Sequence, residues 1–484
     1  MKYISTRGTG EKIDSSQAII KGIADDGGLF VPEETPAMPQ SIVELAMAGY
    51  REHVFASASP YLTDFSPKEL RGCLDAAYSD NFDTPYIAPL TQFDNVSFLE
   101  LFHGKTLAFK DMALSLLPHL MATAAVKTGD TRTRVILTAT SGDTGKAALE
   151  GFKDVDGARV IVFYPENGVS VLQKRLMTTQ EGSNVHAVGV NGNFDDAQTE
   201  VKRIFADRSL TALLDANGFA FSSANSINVG RLIPQIAYYF SAYSQLVRSG
   251  MIPGEQVSFV VPTGNFGNIL AGYYAKNMGL PIHKLICASN ENNVLYDFFR
   301  TGNYDIRRKF FTTVSPSMDI LVSSNFERLA FDILGRSAEA LKNSMAQLSI
   351  DGRYSLNAPS ADFAAFYATE QETIDAIRCV YNKYGYVIDP HTAVAYSAFE
   401  KYGGKERTII LSTASPYKFT KTVMGALDPK YSVFDDFELI ERMAQFKNES
   451  IPAQISQIST KPVLHNTVVD INGMKDAVTN ILGL

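Results

Sequence analysis

Beyond Pro85 the chain alternates between apolar runs of strand length and stretches with helical periodicity, joined by polar or glycine-bearing turns. Three strand and helix pairs are predicted in succession: 134–139 with 144–152, 158–164 with 170–177, and 184–190 with 195–205. A second set begins with a helix at 231–247 and adds strands at 256–261, 283–288 and 407–411. This alternation is typical of parallel βαβ units and predicts an α/β protein.

A chain of 484 residues is too long for one compact core, so we expect two or three domains with a cleft between them. The predicted division is a small N-terminal helical unit at 1–90, a first α/β lobe at 91–225 and a second at 226–484. In the N-terminal unit, Ser66, Pro67 and Glu69 have the spacing of a cap, a first-turn proline and a capping-box partner. Two long loops, which are often functional, are predicted at 315–325 and 351–361.

Charge and composition argue against several classes of protein. A net charge of −8 and a pI near 5.5 do not suit a nucleic-acid surface, which needs clustered basic residues. Cys73, Cys287 and Cys379 are scattered and odd in number, which suits neither a disulfide framework nor a zinc site. No stretch reaches the roughly 20 apolar residues of a membrane span, and the first residues contain no signal-like apolar segment. We therefore expect a cytoplasmic protein with no metal, no nucleic-acid partner and no membrane partner.

The most informative stretch is LFHGKTLAFKD at 101–111, where Lys110 stands directly before a predicted apolar helix at about 112–124. The positive end of the helix dipole and desolvation by Phe109 would both lower the pKa of this lysine. An amine with a lowered pKa is nucleophilic, as Schiff-base formation with an aldehyde cofactor requires, and it can later act as a base. The alternative for Lys110 is a surface lysine that extends its ammonium into water.

Two glycine-bearing turns, at 260–268 and 138–148, are candidates for the binding of anionic groups. VVPTGNFGN at 260–268 lies between a buried-looking strand and a predicted helix at 269–278, where backbone N–H groups and the helix dipole can bind a phosphate without a cation. The alternative is a plain strand-to-helix connection, and the dinucleotide pattern G-x-G-x-x-G is absent from this turn.

TATSGDTGKAA at 138–148 has Thr140 and Ala147 where a Walker loop requires glycine and a hydroxyl residue, so nucleoside triphosphate binding is improbable. Its hydroxyl groups at a helix start suit a substrate carboxylate. Simple N-capping by Ser141 or Thr144 is the alternative.

Several other polar residues point to a functional site only if Lys110 binds a cofactor. Thr413, in LSTASPYKF at 411–419, follows a predicted strand and offers a hydroxyl partner for a pyridine nitrogen; otherwise the segment is a turn. SSANSINVGRL at 222–232 and IDPHTAVAY at 388–396 add Asn225, Asn228, Arg231 and His391, and each of these can equally be an ordinary buried, hydrogen-bonded group.

These motifs together resemble threonine synthases, in particular the longer form of enterobacteria and fungi, over nearly the whole chain. Further matching segments are YISTRG at 3–8, DDGGLFVP at 25–32 and SPSMDILVSSNFERL at 315–329. The resemblance implies a fold-type II pyridoxal 5′-phosphate enzyme, similar in core architecture to the β-subunit of tryptophan synthase, with two sheet-bearing lobes plus the N-terminal helical unit. It also implies a carbon–oxygen lyase acting on phosphate, which converts O-phospho-L-homoserine and water to L-threonine and phosphate, and it implies a monomer.

The resemblance assigns roles residue by residue. Lys110 matches the Schiff-base lysine, and Thr413 matches the residue that faces the pyridine nitrogen. The residues that match the cofactor-phosphate loop are Gly264, Asn265, Phe266, Gly267 and Asn268. Those that match the substrate-carboxylate loop are Ser141, Gly142, Asp143 and Thr144. Shorter threonine synthases carry asparagine where this chain has Asp143, and the longer subgroup carries aspartate. The cationic candidates for the substrate phosphate are Lys105, His103, Lys146 and Arg231, without a ranking.

Two rival functions remain open at the level of sequence. A serine or threonine dehydratase needs the same lysine and phosphate loop but no pocket for a substrate phosphate. A non-catalytic binder of phosphate ligands would not need to retain Lys110.

Overall fold

The structure is a computed structural model that describes residues 1–8, 10–94, 96–140, 142–357 and 361–484, without the side chain of residue 195. The N-terminal unit contains, in chain order, β1 (Lys2–Ser5), β2 (Ile13–Asp14), α1 (Ser15–Lys21), β3 (Phe30–Pro32), α2 (Ile42–Ala46), α3 (Tyr50–Ala58) and α4 (Pro67–Ala77). The predicted capping box is confirmed at the start of α4, where Ser66 and Glu69 each bond to the other's backbone N–H. The unit is not purely helical, because β1 pairs antiparallel with both β2 and β3. Strands of two to four residues are too short to leave an alternating pattern in the sequence.

The middle of the chain alternates strands and helices as expected. Its elements are β4 (Leu90–Gln92), β5 (Val96–Glu100), α5 (Asp111–Leu114), α6 (Leu117–Thr128), β6 (Thr133–Ala139), α7 (Asp143–Gly151), β7 (Ala158–Pro165), α8 (Val171–Thr178), β8 (Val185–Asn191), α9 (Phe194–Ala206), α10 (Arg208–Ala216) and β9 (Phe219–Ser222). The three predicted strand and helix pairs are confirmed to within one or two residues. The helix predicted at 112–124 is instead two helices, α5 and α6, because Pro118 lies in the first turn of α6 and cannot donate a hydrogen bond back into α5.

The remainder of the chain forms most of the second lobe. Its elements are α11 (Val229–Arg248), β10 (Val257–Pro262), α12 (Gly267–Asn277), β11 (Ile282–Ser289), α13 (Val294–Thr301), β12 (Asn303–Asp305), α14 (Phe326–Ile333), α15 (Ala338–Asp351), β13 (Arg353–Ser355), β14 (Phe363–Tyr367), α16 (Glu370–Tyr384), α17 (Pro390–Tyr402), β15 (Thr408–Ser412), α18 (Thr420–Leu427), α19 (Asp436–Lys447), β16 (Val468–Asp470) and α20 (Met474–Leu482). Short 3₁₀ helices lie at Pro316–Met318, Pro416–Phe419, Pro429–Val433 and Ile471–Gly473.

Two large sheets organise the two lobes. Within the described residues, the first has the strand order β16-β8-β7-β6-β9 and is parallel throughout. The second has the order β14-β11-β10-β15-β5-β4, parallel except for the antiparallel edge strand β4. The prediction of two sheet-bearing lobes in an α/β protein is therefore confirmed.

The division of strands between the two sheets differs from the predicted lobe boundaries in two places. β4 and β5, which lie at the start of the segment predicted as the first lobe, belong to the second sheet, where β5 pairs with β15. β16, near the C-terminus, pairs with β8 of the first sheet. Neither partner is a sequence neighbour, and alternation along the chain carries no information about such distant pairings.

The core of the second lobe is built around α11, which is buried along most of its length and packs against α3 and α12. Its tyrosines, Tyr238 and Tyr239, point toward the start of α12, where both bond to Asn268. Among the described residues, no helix combines the length and apolar character needed to cross a membrane.

Candidate active site

A cavity of about 380 Å³ opens where strands of both sheets end. Ala139 at the end of β6, Pro262 at the end of β10 and Thr413, directly after β15, all line it. Ligand sites of open α/β sheets form at the carboxyl ends of strands, because the connections there are free to vary. Lys110 and His391 line the same cavity.

Lys110 reaches the cavity from a segment that is bonded to the end of β15. The Phe109 N–H donates to the Thr413 carbonyl over 2.8 Å, and the Ser415 N–H donates to the Leu107 carbonyl over 3.0 Å. The Lys110 side chain is 9% exposed, and its Nζ lies 4.9 Å from the centroid of the Phe109 ring. Lys110 is therefore not a lysine that extends its ammonium into bulk water.

Burial is the main cause that lowers the pKa of Lys110 to about 8. The Asp143 carboxylate opposes this shift, whereas the charges of Lys418 and Arg231 add to it. The pKa of Lys110 is therefore lowered, as the sequence predicts. The helix dipole is not the cause, because α5 has only four residues.

Asp143 lies between two lysines in a group that we call the lysine cluster: Lys110, Asp143 and Lys418. Its Oδ1 is 2.5 Å from the Lys418 Nζ, and its Oδ2 is 3.7 Å from the Lys110 Nζ. Burial opposes ionisation of Asp143, but the charges of the two lysines outweigh it and hold the pKa of this carboxyl below its usual range. The cluster therefore contains one carboxylate for two amines.

The turn at 262–268, which we call the glycine-rich loop, forms the opposite part of the cavity. Phe266 has φ of +64° and precedes the first turn of α12, an unusual conformation for a bulky residue. At Gly264, a Cβ would lie 2.5 Å from the Ser317 carbonyl oxygen, so only glycine fits. The Ser323 hydroxyl donates to the Gly264 carbonyl over 2.7 Å, which fixes the loop against the 315–325 segment.

Asn268, in the first turn of α12, is oriented by two tyrosines. Its Oδ1 accepts hydrogen bonds from the hydroxyls of Tyr238 (2.5 Å) and Tyr239 (3.2 Å). Its Nδ2 is buried and makes no hydrogen bond within the described residues. A buried amide donor beside the N-terminus of a helix is suited to an anionic ligand.

The loop before α7 is arranged differently from the expectation. Asp143 and Thr144 line the cavity, but Gly142 packs against Gln173, and Ser141 lies outside the described residues. The Thr140 Oγ1 accepts from the N–H groups of Gly142 and Gly145, each over 3.0 Å. Thr140, rather than Thr144, therefore takes up these backbone N–H groups at the start of α7, and Thr144 keeps its hydroxyl free for a ligand as far as the described contacts show.

Of the four cationic candidates for the substrate phosphate, Arg231 lines the cavity. His103 instead bonds to Asp83 and Glu100 and has its pKa raised to about 9, because those two carboxylates outweigh burial. Lys146 bonds to Glu150 and Gln180, and Lys105 lines a separate cavity of about 200 Å³.

Sequence reasoning missed two contributors to the site. Lys418 falls within LSTASPYKF, but nothing in the sequence shows that it meets Asp143. Ser317 donates from its hydroxyl to Asp143 (3.2 Å) and from its backbone N–H to the His391 Nε2 (3.2 Å). The His391 Nδ1 bonds to Asp389 over 2.7 Å, so His391 is a well-satisfied group that also lines the cavity.

Comparisons with known proteins identify the family of the chain. Residues 83–414 match the family model of pyridoxal-phosphate dependent enzymes, 2–78 match the threonine synthase N terminus, and 392–478 match the threonine synthase C-terminal model. The fold and the site thus define a pyridoxal phosphate-dependent enzyme of fold type II.

Individual relatives narrow this class. Threonine synthase-like 1 from Pongo abelii is 42% identical over 434 residues, 86% of this chain and 58% of its own length. The chain therefore spans 58% of that relative. Threonine synthase from Pseudomonas aeruginosa is 39% identical over 88% of this chain and 90% of its own length. The crystal structure of PLP-bound threonine synthase from Brucella melitensis has a TM-score of 0.88 at 38% identity and covers 99% of both chains. The chain belongs to the threonine synthase family.

Proposed function

We propose that this protein is a threonine synthase that uses pyridoxal 5′-phosphate to convert O-phospho-L-homoserine and water into L-threonine and phosphate. One observation carries the proposal: the buried Lys110 amine, with a lowered pKa, shares a cavity with a glycine-rich loop at a helix N-terminus. Membership of the threonine synthase family supports the same reaction.

The residues present fit the cofactor. Asn268 offers a buried donor without a partner in the described residues, and Gly264 sits where a Cβ would collide with backbone. Together with the first N–H groups of α12 they supply a neutral site for a phosphate, which suits an acidic protein. The residues that would hold the cofactor are Lys110, Gly264, Asn265, Phe266, Gly267, Asn268 and Thr413.

The reaction requires protons to move between carbon atoms of the substrate. When bound, pyridoxal phosphate supplies an aldehyde that bonds an amine and a ring that stores electron density. With the cofactor and the substrate bound, the Lys110 Nζ would be the group that takes protons from the α- and β-carbons. The bond from the γ-carbon to the phosphate oxygen breaks, and phosphate leaves with the electron pair. One proton is returned to the α-carbon and one is delivered to the γ-carbon, which becomes the methyl group; water adds its hydroxyl at the β-carbon and gives its second proton to phosphate. The Lys110 side chain is only 9% exposed, so bulk solvent has little access to its amine, which limits unwanted hydration.

The charges that line the cavity suit an anionic substrate. Arg231 is 3% exposed, donates to the Ala224 carbonyl over 2.8 Å, and forms no ion pair within the described residues. A buried cation without a counterion favours an anion nearby, so we assign Arg231 to the substrate phosphate. We assign the Thr144 hydroxyl to the substrate carboxylate. The ionised Asp143 carboxylate would repel that group, so it does not fit the carboxylate-binding role.

The direct test combines trapping with an activity assay. The holoprotein should absorb near the visible edge, and borohydride should remove that band and leave a cofactor adduct that mass spectrometry places on Lys110. Phosphohomoserine should then yield equimolar threonine and phosphate, with deuterium at the α-carbon and in the γ-methyl group when the solvent is deuterium oxide. An adduct on another side chain, or threonine without label at both carbons, would overturn the proposal.

The assay also separates the rival functions. A dehydratase would release a keto acid from threonine or serine and would not release phosphate from phosphohomoserine. A non-catalytic binder would show neither product.

We further propose that the enzyme acts as a monomer in the cytoplasm. All three cysteines are free in the structure, which is consistent with a reducing compartment. Sedimentation of the purified holoprotein at micromolar concentration should give a single species of about 53 kDa. A dimer under these conditions would refute the first part.

A further inference from the structure

A second buried ammonium lies beside the amine that the proposed function makes reactive. Lys418 is carried by the 3₁₀ helix Pro416–Phe419, directly after the end of β15, and its side chain is 1% exposed. Its Nζ donates to the Thr106 carbonyl over 2.9 Å and lies 2.5 Å from the Asp143 Oδ1. Burial of a charged side chain costs free energy unless the charge is paired. The carbonyl and the carboxylate therefore stabilise the Lys418 ammonium in this buried position.

The cluster places the three groups in a fixed order. Asp143 is close to Lys418 and 1.2 Å farther from Lys110, as the two distances of 2.5 Å and 3.7 Å give. The segment that carries Lys110 and the segment that carries Lys418 are bonded to each other between residues 107 and 415, so the two backbones that carry the amines are held side by side. The Asp143 carboxylate therefore pairs closely with Lys418 and only weakly with Lys110.

We propose that Lys418 is a positioning residue that holds the Asp143 carboxylate away from Lys110, so that the Lys110 amine stays free to bond an aldehyde and to carry protons. The inference rests on the proposed function, because it concerns the same amine. Without Lys418, Asp143 would have a single ammonium to pair with, and a close pair would fix Lys110 in its charged form.

The other charges around Lys110 do not replace this effect. Arg231 and Asp111 also act on Lys110, with opposite signs, and His391 acts on Asp143. Asp111 is occupied by the N–H and hydroxyl of Thr106, at 2.8 Å and 2.6 Å. Asp143 is thus the carboxylate that can exchange one lysine for the other.

The test measures the pKa of Lys110 without relying on turnover. The full-length protein, free of cofactor, is labelled with acetic anhydride at a series of pH values, and the extent of Lys110 acetylation is read by peptide mass spectrometry. Lys418→Met should move the midpoint upward by about one pH unit or more, and Asp143→Asn should move it downward by a similar amount. The double variant should lie between them, and Lys418→Arg, which keeps the charge, should stay close to the wild type.

A matched control is available on α17. Lys401 also contacts one carboxylate, Glu372 at 2.8 Å, and one carbonyl, that of Tyr367 at 2.6 Å, but it lies outside the cavity and is 35% exposed. Lys401→Met should leave the Lys110 midpoint unchanged.

Equal midpoints in the wild type, Lys418→Met and Asp143→Asn would overturn the inference, as would shifts of the same sign in both variants. If Lys418→Met fails to fold by circular dichroism, the downward shift in Asp143→Asn and the unchanged midpoint in Lys418→Arg decide the question. Failure of the proposed function is seen separately, as a wild-type protein that forms no borohydride-stable cofactor adduct at Lys110.

Discussion

The glycine-rich loop and the lysine cluster face the same cavity, but different interactions determine their structures. The loop is neutral and depends on backbone shape: a positive φ at Phe266, a close approach at Gly264 and tyrosine hydroxyls that orient Asn268. The cluster depends on side-chain charge in a buried setting, with one carboxylate between two amines. We therefore expect the loop to respond to changes of shape and the cluster to respond to changes of charge and pH.

Because of this difference, the loop should control the affinity for the cofactor and the cluster should control the reactivity of the Lys110 amine. A phosphate held by backbone N–H groups and an amide has a site whose own protonation does not change near neutral pH. An amine with a pKa near 8 changes its reactivity over the same range. Changes in the loop should thus alter how tightly the cofactor is held, and changes in the cluster should alter how quickly its aldehyde is captured.

The largest expected effect is that of Lys110→Ala. It removes the amine that bonds the aldehyde and moves protons, so threonine formation should fall by about four orders of magnitude or more. The protein should still bind the cofactor weakly through the glycine-rich loop, as equilibrium dialysis would show. Substantial threonine formation by this variant would remove Lys110 from its assigned role.

Gly264→Ala should weaken cofactor binding by roughly 10- to 100-fold, because a Cβ 2.5 Å from the Ser317 carbonyl forces the loop and the 315–325 segment apart. Fluorescence titration of the apoprotein with pyridoxal phosphate would give the dissociation constant. Gly425→Ala on α18, where a Cβ meets open space, is the matched control and should bind normally. An unchanged dissociation constant for Gly264→Ala would show that loop shape does not govern affinity.

The pH dependence of cofactor capture should reflect the lysine cluster. Lys110 reacts as the neutral amine, and its lowered pKa of about 8 means that the neutral fraction grows as pH rises toward that value. The capture rate should increase about tenfold per pH unit below pH 8 and level off above it. Stopped-flow absorbance of apoprotein mixed with pyridoxal phosphate would measure this profile. A rate independent of pH between 6 and 8 would contradict the buried, neutral amine.

The smallest expected effect is that of Tyr239→Phe, which removes the hydroxyl that donates to the carbonyl and Oδ1 of Asn268. Loss of hydrogen bonds worth about 0.5–1.5 kcal/mol should raise the cofactor dissociation constant roughly 2- to 10-fold. The pH midpoint of capture should not move, since no charge changes. A moved midpoint with unchanged affinity would erase the distinction between the loop and the cluster.

Much of this site could be read from the sequence because its motifs are local. The order of strand, turn and helix placed the loops at 138–148 and 260–268 at strand ends, and Lys110 and Thr413 line the expected cavity. The prediction was weaker where a long-range contact decides the outcome. His103, Lys105 and Lys146 are cationic and lie in or beside matching motifs, yet His103 and Lys146 bond elsewhere and Lys105 lines a different cavity.

The sequence by itself determined the alternation of strands and helices, the position of Lys110 directly before a helix and the glycine-rich loop, because periodicity and turn chemistry act over a few residues. The tertiary structure alone decided that β5 joins the second sheet and β16 the first, and that Asp143 meets Lys418 across 275 positions of the chain. Charge interactions and strand pairing depend on distance in space. The pKa of Lys110 is therefore a property of the fold, set by burial and by neighbours that are remote in the sequence.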